Sequence, residues 1–206
     1  IVNAYMSADI SEKRLAYSVK KILKAKYKVG LNRYKAINTN NLIPELNVIN
    51  DKLLQEEVIS NIITLVKNNN NFTPIIKLDN NKIVHIQTGT DSGKTFNEYL
   101  NKYTSVDYLK MSDYESINDL LNSLNHYNTV IIGHHQPDKT PWNKYRFSKK
   151  ELSWIDQISK MKNTILTVFA KPYALNNLSN LDSFKSIVIS YQNGHIFQQK
   201  TAQMIF

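Results

Sequence analysis

At 206 residues, with 42% apolar and 21% charged side chains, the chain can bury the core of one ordinary domain with a helical preface, and by composition it is not a disordered chain. The absence of cysteine excludes disulfides, thiolate chemistry and cysteine metal sites. Lys and Arg outnumber Asp and Glu by 26 to 17, a formal charge of +9 that favours anionic partners. Much of the lysine lies between Lys13 and Lys28, and no zinc finger, RNP-like aromatic strand or arginine cluster accompanies it. A solvated helix face is therefore expected, and no nucleic-acid partner.

Ser11 is placed to cap a first helix running to about residue 27, with Leu15, Val19, Ile22 and Leu23 on one stripe, lysine stems beside it and Gly30 as its stop. Residues 36–50, with Pro44 near their centre, read as an irregular linker. A second helix is expected from about residue 51 to 66, where Leu54, Val58, Ile62 and Leu65 share one side. The asparagines from Asn68 to Asn71 end it, because short amide side chains compete for backbone hydrogen bonds.

From Lys82 the rhythm changes. Strands are expected at 82–87, 106–109, 129–132, 164–170 and 186–191, and helices at 95–103, 116–125, 148–161 and 196–206. Ser148 and Glu151 form a capping-box pair at the start of the third of these helices. Strands alternating with helices, some strands apolar throughout, predict an α/β fold with a mostly parallel sheet flanked by helices. The expected architecture is a three-layer α/β/α sandwich over residues 51–206, preceded by a helical linker segment over residues 1–50.

Three local features carry candidate chemistry. Gly89-Thr-Asp-Ser-Gly-Lys-Thr95 follows a strand and leads into a helix, as a phosphate loop should, but three residues separate its glycines where a Walker loop has four. Gly93, Lys94 and Thr95 are candidates for an anion site at the helix N-terminus, beside the plainer reading of a strand-to-helix turn. His134 and His135 are placed on a loop after Gly133; adjacent histidines rarely point at one metal, and no third ligand is evident beyond Asp138, so no metal site is expected. Lys171-Pro172-Tyr173 follows another strand, where the proline fixes the exit of the chain.

Five blocks in order carry a resemblance: residues 10–31; residues 60–68 with Pro74; the run from Thr129 to Gly133; Val168-Phe-Ala-Lys-Pro-Tyr-Ala174; and Tyr191-Gln-Asn193 followed by Gln199, Ala202 and Phe206. Together they resemble the region where the catalytic barrel of a family 3 glycoside hydrolase hands over to its C-terminal α/β domain, in style nearest the bacterial β-N-acetylglucosaminidases and β-glucosidase-like enzymes. Lys171 departs from the pattern, which often has asparagine before the proline. The resemblance implies that residues 1–50 are the remnant of the last barrel helix with the interdomain linker, and that residues 51–206 are the second domain.

Retaining glycoside hydrolysis needs a nucleophile and an acid/base across the scissile bond, as paired carboxylates about 5–5.5 Å apart. In the family resembled, the nucleophilic aspartate sits on the barrel, and the N-acetylglucosaminidase branch adds an Asp–His pair on a barrel loop. Both would precede Ile1. In the β-glucosidase branch the second domain can contribute a glutamate, but Glu98, Glu115 and Glu151 do not match that role. The resemblance thus implies no catalytic residue and no cofactor in this chain. It implies as partners the N-terminal barrel of the same polypeptide, carbohydrate in the parent enzyme, and a homodimer contact. His134, His135, Trp142, Tyr145 and Arg146 would line the substrate mouth. The compartment stays open, since relatives act in the periplasm, outside the cell or in the cytoplasm. Two other readings stand beside this one: an independent anion- or nucleotide-binding module using residues 89–95, and an interaction domain whose cationic first helix binds an acidic partner.

Overall fold

The computed structural model describes residues 1–140 and 142–206. By its contacts the chain falls into two units, Ile1–Val48 and Ile49–Phe206. In the first, α1 spans Val2–Met6 and α2 spans Glu12–Lys28. Ser11 Oγ accepts from Arg14 N at 3.2 Å, the expected cap, and Gly30 follows the helix at a φ of +81° that a side chain would strain. Residues 36–50 are more regular than an irregular linker. They hold a 3-10 turn at Thr39–Asn41, a short helix α3 at Leu42–Glu45, and the first residues of the next helix. Pro44 is tolerated because it falls in the first turn of α3, whose N–H groups have no intrahelical partner. None of α1–α3 buries a residue.

The second unit is a three-layer α/β/α sandwich. Its elements in order are α4 (Ile49–Ile62), β1 (Thr64–Asn68), β2 (Ile83–Gly89), α5 (Lys94–Leu100), β3 (Val106–Lys110), α6 (Ile117–Ser123), β4 (Thr129–His135), α7 (Lys149–Met161), β5 (Asn163–Phe169), β6 (Ser186–Ile189) and α8 (His195–Ile205). The sheet order is β1-β6-β5-β4-β2-β3. β2 to β6 are parallel, and β1 joins the β6 edge antiparallel.

Strand alternation divides the core in two. Val84, Ile86, Val130, Ile132, Leu166 and Val168 point to the face covered by α6 and α7, where Leu120, Leu124, Trp154, Ile155 and Ile158 meet them. Ile83, Ile131, Ile165 and Phe169 point the other way, against Phe96 and Leu100 of α5 and Ala202 and Ile205 of α8. Central strands buried on both faces explain the continuous apolar runs.

The second predicted helix is also corrected. The helix predicted to reach residue 66 stops at Ile62, and Thr64–Asn68 is a strand. The apolar periodicity of residues 51–66 fits a helix, but Thr64, Leu65, Lys67 and Asn68 are drawn into register with Ile189, Val188, Ile187 and Ser186 at the free edge of β6. Those pairings are long-range, and nothing local in the sequence announces them.

Candidate functional site

In an open parallel sheet, ligands gather where consecutive connections leave a strand in opposite directions, because the loops there diverge. Here that point lies between β2 and β4. The chain goes from β2 to β3 on one side, then crosses to β4 on the other. A cleft of about 430 Å³ opens there, its walls including Gln87, Thr90, Gln136, Arg146, Lys150 and Glu151.

Glu151 is the one carboxylate among the cleft's walls, and it is occupied. Its Oε1 accepts from Gly89 N at 2.7 Å and its Oε2 from Ser148 N at 2.6 Å, while Ser148 Oγ accepts from Glu151 N at 3.2 Å. The predicted capping box is present, and it also ties the end of β2 to the start of α7. A double-displacement glycosidase needs two carboxylates facing one bond, and this cleft offers a single one already committed to backbone N–H groups. Replacing Glu151 by Ala should leave two N–H donors without partners and cost about 2 kcal/mol, read as a fall in the urea midpoint. Glu151→Gln should cost less, since it keeps an oxygen acceptor.

Beneath the cleft lies a histidine chain. His134 and His135 are not on a loop; β4 runs two residues past Gly133, because β2 and β5 continue alongside and pair with both. Both rings are completely buried, as is that of His85 on β2. His85 and His135 share the α5/α8 face, with Nε2 atoms 3.4 Å apart. His135 stacks on Phe169 at 4.4 Å between centroids, and its Nδ1 lies 2.7 Å from Asn193 Oδ1.

The hydrogen bonds fix the protons. Asn193 Nδ2 donates to Ser92 O, so Asn193 Oδ1 is the acceptor and His135 Nδ1 carries a hydrogen. In a neutral ring His135 Nε2 is then a lone pair that accepts from His85 Nε2, leaving His85 Nδ1 as an acceptor. His85 Nδ1 and Asn97 Oδ1 are both buried without a hydrogen-bond partner. The Asn97 side chain nevertheless acts on His85, raising its pKa against the effect of burial.

Burial, reinforced by the mutual repulsion of the pair, pushes His85 well below the usual histidine range. Burial takes His135 down to about 3, against the raising effect of its bond to Asn193. On the other face His134 stacks on Phe147 at 3.8 Å. It lies 3.2 Å from the Tyr145 carbonyl through Nε2 and 3.0 Å from Thr88 Oγ1 through Nδ1. Burial lowers its pKa too, with Glu151 pulling it back up.

The predicted site residues therefore separate. His134 and His135 offer a sugar no surface. Trp142 and Arg146 are exposed, and Tyr145 is half-buried at a φ of +44°, its hydroxyl accepting from Thr140 N at 3.1 Å. Tyr145 pins the loop that presents the other two. Gly93, Lys94 and Thr95 do not build a cradle. Gly93 N donates to Gln87 Oε1, Lys94 N to Ser92 Oγ and Phe96 N to Gln198 Oε1, so the first turn of α5 has spent most of the donors an anion would use. Among the described residues no three His, Asp or Glu side chains converge as a metal would require.

Sequence reasoning missed His85, Asn193 and Gln87. Asn193 lies inside a block quoted for its resemblance, without a role, and His85 looks like one polar interruption in an apolar strand. Tertiary packing brings them together: His85 and Gln87 come from β2, and Asn193 from the connection between β6 and α8.

No family model matches the chain, and no curated protein matches it. Solved structures do. A family 3 glycoside hydrolase, a β-N-acetylglucosaminidase from Paenibacillus sp. strain FPU-7, superposes with a TM-score of 0.63 at 18% identity over 98% of this chain and 39% of its own. The β-glucoside phosphorylase BglX gives 0.67 at 15% over 98% and 38%. A β-glucosidase from Listeria innocua in complex with gluconolactone gives 0.75 at 14% over 98% and 31%. At such identities the likeness is one of fold, and this chain spans between 31% and 39% of the length of these three proteins.

Proposed function

We propose that this chain is the non-catalytic C-terminal α/β domain of a larger family 3-type glycosidase, supporting a catalytic barrel that lies upstream in the same polypeptide. The parent enzyme would hydrolyse O-glycosyl bonds, with terminal β-N-acetylglucosaminides or β-glucosides as substrates. The observation that carries the reading is the asymmetry of the matches: 98% of this chain is matched, against 31% to 39% of proteins that bind or cleave β-glycosides. The cleft's lone, committed carboxylate supports it, since the acid/base and nucleophile must then come from elsewhere. In this reading the Trp142–Arg146 loop borders the substrate mouth. A phosphorylase among the similar folds means that this domain's fold does not set whether water or phosphate accepts the sugar.

The test compares the 206-residue protein with a polypeptide extended upstream to include the barrel. Each is given an aryl β-N-acetylglucosaminide and an aryl β-glucoside, with and without inorganic phosphate. Turnover of one substrate by the longer polypeptide alone is expected. Turnover by the shorter protein, or an extended chain without a barrel, would overturn the reading.

A further inference from the structure

Beside the cleft, and sharing Arg146 with it, is a second hollow of about 240 Å³ walled by Trp142, Asn143, Lys144, Arg146, Lys171 and Tyr173. We propose that this hollow binds one sugar ring carrying an anionic group, a carboxylate or a phosphate.

The walls come from two anchored segments, those following the adjacent parallel strands β4 and β5. The first is held from below by His134 at the Tyr145 carbonyl. The second is set by Pro172 at the start of a 3-10 helix, with Ala174 N donating to Lys171 O at 3.0 Å. Three cationic side chains line the hollow and no carboxylate does. Among the described residues neither Lys144 nor Arg146 forms an ion pair. The Arg146 guanidinium beside the Lys144 ammonium, neither held by an acid among the described residues, suits a carboxylate or phosphate, to which Arg presents a two-pronged donor.

The aromatic walls add the ring. Trp142 is 88% exposed and Tyr173 66%, large flat surfaces left in water on one hollow. Such faces gain by covering the apolar side of a ring. The volume is below the roughly 300–1,000 Å³ of typical small-molecule sites, which fits one ring and not a chain of them. The anionic half of the proposal stands on the charges; the sugar half rests on the glycosidase reading.

The test is fluorescence titration of the 206-residue protein, which needs no turnover and so stays readable if the glycosidase reading fails. The protein has two tryptophans, and only Trp142 is exposed, Trp154 being buried. Glucuronate and glucose 6-phosphate are compared with glucose and inorganic phosphate at physiological ionic strength. One of the two anionic sugars should quench Trp142 at least tenfold more tightly than glucose or phosphate, and which one succeeds separates carboxylate from phosphate. Arg146→Gln should weaken that binding tenfold or more, and Trp142→Phe should abolish the signal while calorimetry still detects the ligand. Equal response to glucose, equal response to phosphate, or binding untouched by Arg146→Gln overturns the proposal. Both side chains are exposed, so neither variant endangers the fold.

Discussion

Acidification from pH 8 to pH 5.5 should strip about 3 kcal/mol of stability from the α/β unit through His85 and His135 alone. In the fold both imidazoles are neutral, His85 held well below its ordinary value and His135 at about 3. In the unfolded chain both return to roughly 6.5. Above that pH neither state takes up a proton, and the histidines' contribution to stability is fully present. Below it the unfolded chain binds two protons that the fold refuses, so each histidine removes about 1.4 kcal/mol per pH unit until the folded pKa is approached.

The groups facing the pair offset this only in part. The bond to Asn193 and, less, the charge of Asp91 raise His135, and Asn97 raises His85, but burial outweighs them; the His134 charge would repel, and Tyr108 lies at 5.2 Å from the His85 ring. His134, also lowered, adds in the same direction. The measurement is the urea midpoint at a series of pH values. A midpoint unchanged between pH 8 and 5.5 would sink the account. A His85→Asn variant, less stable at pH 8, should show a shallower decline on acidification.

How far this was legible beforehand depends on the range of the interaction that decides each feature. The α/β alternation, the Ser11 cap and the Ser148–Glu151 box are set within a few residues of chain, and local pattern finds them. The β1 strand, by contrast, is decided by pairing with β6, more than a hundred residues away in sequence, and there the periodicity of residues 51–66 pointed to helix. The histidines show the same divide. Their presence after an apolar run was plain, but Gly133 reads locally as a stop, and only the neighbouring strands carry β4 onward through His134 and His135. The exposed pair, Trp142 and Arg146, could be suspected because such side chains after a parallel strand have few structural duties. Glu151's second bond, to Gly89 N, could not be suspected, since 62 residues separate them.

Gly89→Ala should be the most damaging single-methyl addition in the chain, at about 3 kcal/mol or more. Three glycines crowd His135, and they differ in what a methyl would strike. At Gly93 a Cβ would lie 2.6 Å from the His135 ring, and at Gly133 2.3 Å from the same ring and 2.6 Å from that of His85. At Gly89 it would lie 2.1 Å from the backbone oxygen of His135, in a residue whose φ of +83° already disfavours a side chain. That oxygen cannot retreat easily, because it accepts from Asp91 N at 3.1 Å and belongs to a strand paired on both sides.

The clashes therefore respond differently to relief. Shrinking His135 to Ala should recover part of the Gly93→Ala loss, measured as a coupling between the two substitutions, and none of the Gly89→Ala loss. Gly194→Ala serves as the reference, since its Cβ would meet Phe197 at an ordinary 3.5 Å and its φ is −64°; it should shift stability by no more than about 0.5 kcal/mol. If Gly89→Ala proves as mild as Gly194→Ala, or if His135→Ala rescues it, the close approach of β2's last residue to the β4 backbone is not what holds the floor of the cleft.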